Sequence, residues 1–385
     1  MTTHPVMLVS ATRARTEALL RHGPRRDFIA LAEATGADVR YQMIGARRAG
    51  LAAKMMGAHV RQAWRLAREV EPGAIVFADG EHNGIPFALM SGLLRRRPRR
   101  LVMLGHLLSR RWKLPLLWLA TRAGPRGVLV LHSVEQRRIV KRWVGRRWRI
   151  VLVPYQVDTE FWAADGASAS ADLPLVLAVG SENRDYATLV RAVEGLPLRV
   201  VIAAGSHWAR EAAVAGETPP NVEYLSEPLG FAALRDLYRQ AACVVVPLHD
   251  VANQSGVTTI LEAMSCGRPV VVTASRGQQE CIEGPLVTAD GRLDAVATTG
   301  RGPAAFGGPA GGAATGLYVP PADEAALNAA IRRVLEHPGE ASEMGAAARR
   351  AAVEHFSLER FVATLTALLA PAPAESGTAR RRVAA

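Results

Sequence analysis

The chain has 385 residues, 49% of them apolar, enough to fill the cores of two domains. Its net charge of +12 is uneven: residues 1–160 hold 29 Lys and Arg against 11 Asp and Glu, whereas residues 161–385 hold 18 against 24. No apolar run is long enough for a membrane span, no secretion leader is expected, and three cysteines without metal-type spacing fit reduced thiols in the cytoplasm.

Short apolar strands are expected at Val6–Ser10, Val39–Met43, Ile75–Ala78, Leu101–Gly105, Val128–Leu131 and Ile150–Val153. Helices are expected between them at Ala52–Glu69, Ile85–Leu94, Leu114–Arg122 and Val134–Val144. Apolar runs that do not alternate, separated by amphipathic segments, predict a parallel sheet covered on both faces. The Ala/Ser/Asp-rich stretch within 156–174 reads as a linker.

The alternation then restarts. Strands are expected at Leu175–Val179, Arg199–Ala203, Val222–Leu225, Val244–Pro247, Val270–Thr273 and Leu317–Val319. The helices fall at Tyr186–Glu194, Phe231–Ala241, Thr258–Ser265, Glu324–Glu336, Ala341–Glu354 and Leu358–Leu369. The Gly/Ala-rich stretch 286–315 reads as a lid or a disordered insert, and 371–385 as a disordered tail. The α/β class follows, with two doubly wound domains facing a cleft. Residues 1–155 form the basic one and 175–356 the second, and helix 357–370 is expected to return to the first.

The segment Asn253–Thr273 carries the most chemistry. Ser255 and Gly256 lead into a helix through Val257 and Thr258, so backbone N–H groups at its N-terminus can meet a phosphate. Glu262 follows in an apolar run, where a carboxylate needs a partner. A solvent-facing acid on an ordinary amphipathic helix is the plainer alternative for this residue alone.

The order Glu262-Ala263-Met264-Ser265-Cys266-Gly267-Arg268-Pro269-Val270-Val271 resembles the nucleotide-sugar domain of retaining GT-B glycosyltransferases, specifically glycosyltransferase family 4 (group 1). The segments Val153–Phe161, Val179-Gly180, Asn221–Leu225 and Gly316–Asp323 resemble further stretches of that family. The resemblance covers residues 150–365. It implies a GT-B fold and transfer of a sugar, with retention, from a UDP-, GDP- or dTDP-linked donor, without cofactor or metal. The family's second glutamate, matched by Glu262, holds the nucleotide ribose. Its first, at the donor sugar, is replaced here by Gln254. Gly180 and Arg184 would face the diphosphate, with Ser181 where the family has an arginine.

The resemblance also implies a histidine near the transferred sugar after an N-terminal strand, and His106 stands there. His106, Glu81 and Gln254 are the expected catalytic group. Asp79, Glu81, His82, Arg110 and Arg111 are expected on the acceptor side. The plainer reading of Asp79–Gly84 is a capped helix start, with Asn83 as N-cap. The family's glycine-rich N-terminal loop has no match in Ser10–Arg15.

Of the 47 basic residues, 44 are arginine, which fits the codon bias of a GC-rich bacterial genome but not the scarcity of acids in the first half. Arg95–Arg100, Arg110–Lys113 and the Trp residues near them suit a peripheral site on an anionic inner membrane face. A sugar, lipid-linked molecule or small molecule is the expected acceptor, and no nucleic acid is expected. The alternatives are a non-catalytic GT-B-fold binding protein, a basic protein that binds anionic surfaces, and a sugar epimerase.

Overall fold

The computed structural model describes residues 4–20, 22–42, 51–165, 173–205, 219–294 and 313–370. The N-terminal half runs β1 (Val6–Leu8), α1 (Arg13–Leu20), α2 (Asp27–Thr35), β2 (Asp38–Arg40), α3 (Leu51–Glu69), β3 (Ile75–Ala78), α4 (Glu81–Leu93), β4 (Arg100–Gly105), α5 (Leu114–Ala123), β5 (Gly127–Leu131), α6 (Val134–Val140) and β6 (Trp148–Leu152). The C-terminal half continues with β7 (Leu175–Val179), α7 (Tyr186–Val193), β8 (Arg199–Ala203), β9 (Val222–Leu225), α8 (Phe231–Gln240), β10 (Cys243–Val246), α9 (Val257–Ser265), β11 (Val270–Thr273), β12 (Leu286–Val287), β13 (Leu293–Asp294), β14 (Gly316–Val319), α10 (Glu324–Glu336), α11 (Pro338–Phe356) and α12 (Leu358–Leu369).

Two α/β sheets result, ordered β2-β1-β3-β4-β5-β6 and β13-β12-β14-β11-β10-β7-β8-β9. Every pairing is parallel except that of β12 with β13. The reason lies in the strands themselves: β3, β5, β7, β10 and β11 are buried along their whole length, so both faces need a helical cover. Strand order reverses between β1 and β3 in the first sheet and between β7 and β10 in the second. Crevices at the carboxyl ends of strands open at such switch points.

α12 closes the first half. Phe361, Leu365 and Leu369 lie in one core with Met7, Val9, Phe77, Val102 and Val130. A bridge between Val157 and Ser357 ties the outgoing and returning crossings together.

Some elements differ from the expectation. α1 and α2 were not anticipated, because Arg13–Leu20 and Asp27–Thr35 lie in a stretch dense in Arg, Gly and Pro. α4 begins at Glu81, so Asn83 lies in its first turn and Gly80 takes the N-cap place. Of the stretch expected as a lid, 286–294 forms the β12–β13 hairpin at the sheet edge, while 295–312 lies outside the described residues. So do most of the linker core (166–172) and the tail.

Candidate active site

The site is built where the two switch points face each other. His106, Leu107, His132, Gln136 and Tyr155 from the N-terminal half and Glu182, Asn253, Gln254, Gly256, Val257 and Thr258 from the C-terminal half line one cleft of about 240 Å3. His106 follows β4, His132 follows β5, and the loop 253–256 precedes α9, so three strand or helix ends converge there.

α9 opens without a side-chain cap. Gly256 is its N-cap, with φ of +78°, and among the described residues no side-chain cap bonds this helix start. A Cβ at Gly256 would stand 2.7 Å from Val246 Cγ1, so the position needs glycine on both conformational and steric grounds. The loop is held from behind: Asn183 and Asn253 both donate to Ser255 Oγ, at 2.8 and 2.7 Å, and Gln278 Nε2 donates to the Ser255 carbonyl at 2.9 Å. The free first-turn N–H groups and the helix dipole therefore face the cleft.

Glu262 stands one turn after Thr258, on the same helical face. The Tyr238 hydroxyl donates to its Oε2 at 2.9 Å. Burial pushes the carboxyl up to about 7, against the pull of the Tyr238 bond and the Arg26 charge. Arg26 comes from the other half, where its guanidinium lies 5.6 Å from the centre of the Phe231 ring. Gln254 lines the cleft with only a long contact to Cys281 Sγ, at 3.9 Å.

His106 is fixed on every side. Its ring nitrogen Nε2 lies 2.9 Å from the Asp79 carbonyl, its backbone N–H donates to Glu81 at 3.0 Å, and Gln136 donates to its carbonyl at 2.9 Å. Its ring stacks on His132 with centroids 5.6 Å apart. His132 is buried, with Nδ1 2.9 Å from the Val153 carbonyl and Nε2 without a partner among the described residues. Nδ1 must carry the proton to make that bond, which leaves Nε2 as a lone-pair acceptor. Burial first, and the His106 charge second, hold the His132 imidazole down at about 3, so it stays neutral.

Three expected site residues take other roles. Arg184 does not face the cleft: its guanidinium is buried and donates to the Val179 carbonyl at 3.0 Å, the Glu182 carbonyl at 2.8 Å and Thr259 Oγ1 at 3.2 Å. It braces the glycine turn from beneath, and Gly180, with φ of +94°, lies against it. Glu81 is not a free base. It accepts from the backbone of His106 and Leu107 and from Lys113 Nζ. Burial opposes its ionisation, but the Lys113 and His106 charges and these bonds hold it at about 2. Asp79 spans the N-terminal switch point, accepting from Ser10 N–H and Oγ at 2.6 and 2.7 Å and from Asn83 Nδ2 at 2.8 Å.

His82 points away from the cleft into a neighbouring apolar cavity that Glu81 also lines. Arg111 lines a recess between the halves with Arg142 and Arg276, whereas Arg110 is outside it, as the residue preceding a short 3-10 turn.

Sequence reasoning missed Arg26, His132, Gln136, Tyr155 and Glu280. Glu280 reaches across from the C-terminal half to the start of α6. The only available signal was weak: Gly23-Pro24 ahead of Arg26, and a histidine directly after an apolar strand at His132.

Two doubly wound sheets facing a cleft, one presenting an uncapped helix start, define the GT-B architecture. Within it, residues 174–337 match the family model described as Glycosyl transferases group 1. The chain is 32% identical over 246 residues to D-inositol 3-phosphate glycosyltransferase of Kineococcus radiotolerans. That stretch is 57% of this chain and 51% of the relative, so the chain spans about half the length of the curated relative it matches.

Similar solved structures cover nearly the whole chain. Sucrose-phosphate synthase of Thermosynechococcus elongatus has a TM-score of 0.67 at 17% identity, over 95% of this chain and 98% of that one. The UDP-forming alpha,alpha-trehalose-phosphate synthase of Burkholderia vietnamiensis has 0.66 at 13% identity, over 96% and 99%. HepE of Anabaena, in complex with UDP and glucose, has 0.62 at 14% identity, over 95% and 99%. At these identities the likeness shows the fold.

Proposed function

We propose that this chain is a retaining glycosyltransferase that moves a sugar from a nucleoside-diphosphate donor to an acceptor held by the N-terminal half. The observation that carries the reading is the uncapped start of α9, open to the cleft with Glu262 one turn behind Thr258. The diphosphate takes the N–H groups of Gly256, Val257 and Thr258. Glu262, turned by Tyr238, accepts from the two ribose hydroxyls. Gln254 and His106 meet the sugar from opposite sides of the cleft. UDP is the donor nucleotide tested first, because HepE is described in complex with UDP and glucose.

In the transfer, the bond from the anomeric carbon to the phosphate oxygen breaks. The acceptor oxygen bonds to the same face, and its proton passes to the departing phosphate. No protein nucleophile is required. The protein holds donor and acceptor and stabilises the leaving group through backbone dipoles. Turnover is expected to be unchanged in EDTA.

The arginine-rich face with Trp112 and Trp118 exposed supports a peripheral position on an anionic membrane. The deciding experiment incubates the chain with a panel of UDP-, GDP- and dTDP-sugars and measures release of free nucleotide, with and without acceptor mixtures. Release from one donor supports the reading, and no release from any, with no thermal stabilisation by them, contradicts it.

A further inference from the structure

A second cavity, of about 380 Å3, opens between α3, α4 and α5. Its walls are Val60, Ile85, Pro86, Leu89, Met90 and Leu116, with Trp112 at the edge. Val60 and Leu116 are each 41% exposed and Trp112 is 58% exposed, so a large apolar surface at the mouth stays in water. Exposed apolar surface gathered around a concavity of this size marks a ligand site rather than incidental exposure.

The floor is polar, and its contacts run toward the cleft. His59 and His82 meet edge-on there, with ring centroids 4.6 Å apart. His59 Nδ1 bonds Asn83 Oδ1, and Asn83 Nδ2 donates to Asp79. His82 Nε2 lies 3.8 Å from Asp79 Oδ1, while the Asp79 carbonyl meets His106 in the cleft. One residue therefore touches both the histidine on the cavity side and the histidine on the cleft side. A Cβ at Gly80 would collide with the His82 ring, so the glycine lets that ring lie against the turn after β3.

We infer that the acceptor is an amphiphile whose apolar chain or ring occupies the cavity between α3, α4 and α5, its hydroxyl end passing His82 and Asp79 toward His106. This rests on the glycosyl-transfer reading and narrows its acceptor class. The apolar walls have almost no groups to bond a free sugar, whereas they favour the burial of an alkyl chain or ring. Burial, working mainly through desolvation, keeps the His82 imidazole neutral, near 4, and the ion pair on the cavity lining, Glu81 with Lys113, is paired within itself.

The test uses N-phenyl-1-naphthylamine, an uncharged apolar dye that gains fluorescence on leaving water, with the full chain. The expected result is saturable binding, displaced by monomeric n-decyl glucoside, and weakened about tenfold or more in Val60→Glu and in Leu116→Glu, which place a charge at the mouth. Both positions are exposed, so the variants fold, and UDP affinity measured in the same samples is expected to match the parent chain. Dye binding that is absent, or as tight in both variants as in the parent chain, overturns the inference. So does displacement by phosphatidylglycerol vesicles but not by the monomeric glucoside, since that identifies a membrane-docking face. A chain that takes the dye but binds no nucleotide contradicts the transfer reading alone, and one that binds UDP but not the dye contradicts the cavity alone.

Discussion

Glu280 and Val134 join the two halves across the cleft: the carboxylate of Glu280 accepts the Val134 backbone N–H at 2.8 Å, with Ser133 Oγ at 3.3 Å. The start of α6 is thus capped by an acid from the other half, not by Glu135, which faces Arg138. Burial pushes the Glu280 carboxyl up to about 7 against these bonds. Glu262 is raised to a similar value, also mainly by burial.

These shifts set a pH dependence. Between an ordinary value of 4.5 and about 7 the folded chain holds protons on Glu280 and Glu262 that the unfolded chain has released. Stability from this source is complete below that window and is lost as pH rises through 7. Burial also keeps His82 and His132 neutral, which favours the folded chain as pH rises from 5, so the readout is a difference: the Tm of Glu280→Gln minus that of the parent chain is expected to be larger at pH 8 than at pH 5. A Tm difference between variant and parent that is the same at both pH values counts against the Glu280 assignment.

Arg184→Met separates a brace from a ligand. Three hydrogen bonds donated by the guanidinium, two of them buried, disappear, at about 1.5–3 kcal/mol for each bond from a charged group, less what relaxation recovers. The expected outcome is a large fall in denaturant midpoint. Unchanged stability with a selective loss of UDP affinity would restore Arg184 to the diphosphate.

Glu81→Gln leaves Lys113 buried without its partner, the two side chains being 3% and 13% exposed. Breaking a buried pair in this way costs about 3–5 kcal/mol. Because Glu81 also holds the backbone of His106 and Leu107, kcat is expected to fall along with stability. Adding Lys113→Met is expected to recover stability. If kcat falls in Glu81→Gln without any loss of stability, the residue acts at the substrate.

His132→Phe keeps the ring stacked on His106 but removes the Nε2 acceptor and the Nδ1 bond to the Val153 carbonyl. Steady-state kinetics are expected to show kcat/KM for the donor sugar falling about tenfold or more, while UDP affinity is retained. Equal kinetics in variant and parent would mean that Nε2 touches no substrate group.

What the sequence made legible follows from burial. Ile75–Ala78, Leu175–Val179 and Val270–Thr273 read correctly as strands because they are apolar throughout, which only a two-faced parallel sheet explains. The helix start at Gly256, with Thr258 and Glu262 on one face, was legible because a glycine turn followed by an apolar helix forms a local pattern. Arg26 near Glu262 and Glu280 on Val134 were not, since each joins residues more than a hundred positions apart. Arg184 misled for a related reason: a lone arginine after a glycine looks the same in sequence whether it points into the cleft or under it.

The central claim is that the start of α9 and Glu262 hold a nucleotide. Calorimetric titration of UDP into the full chain and into Glu262→Ala tests it most directly. The account predicts saturable binding to the parent chain and a loss of about 1.5–3 kcal/mol in the variant. Unchanged UDP affinity in Glu262→Ala, in a variant that folds as the parent does, would contradict it.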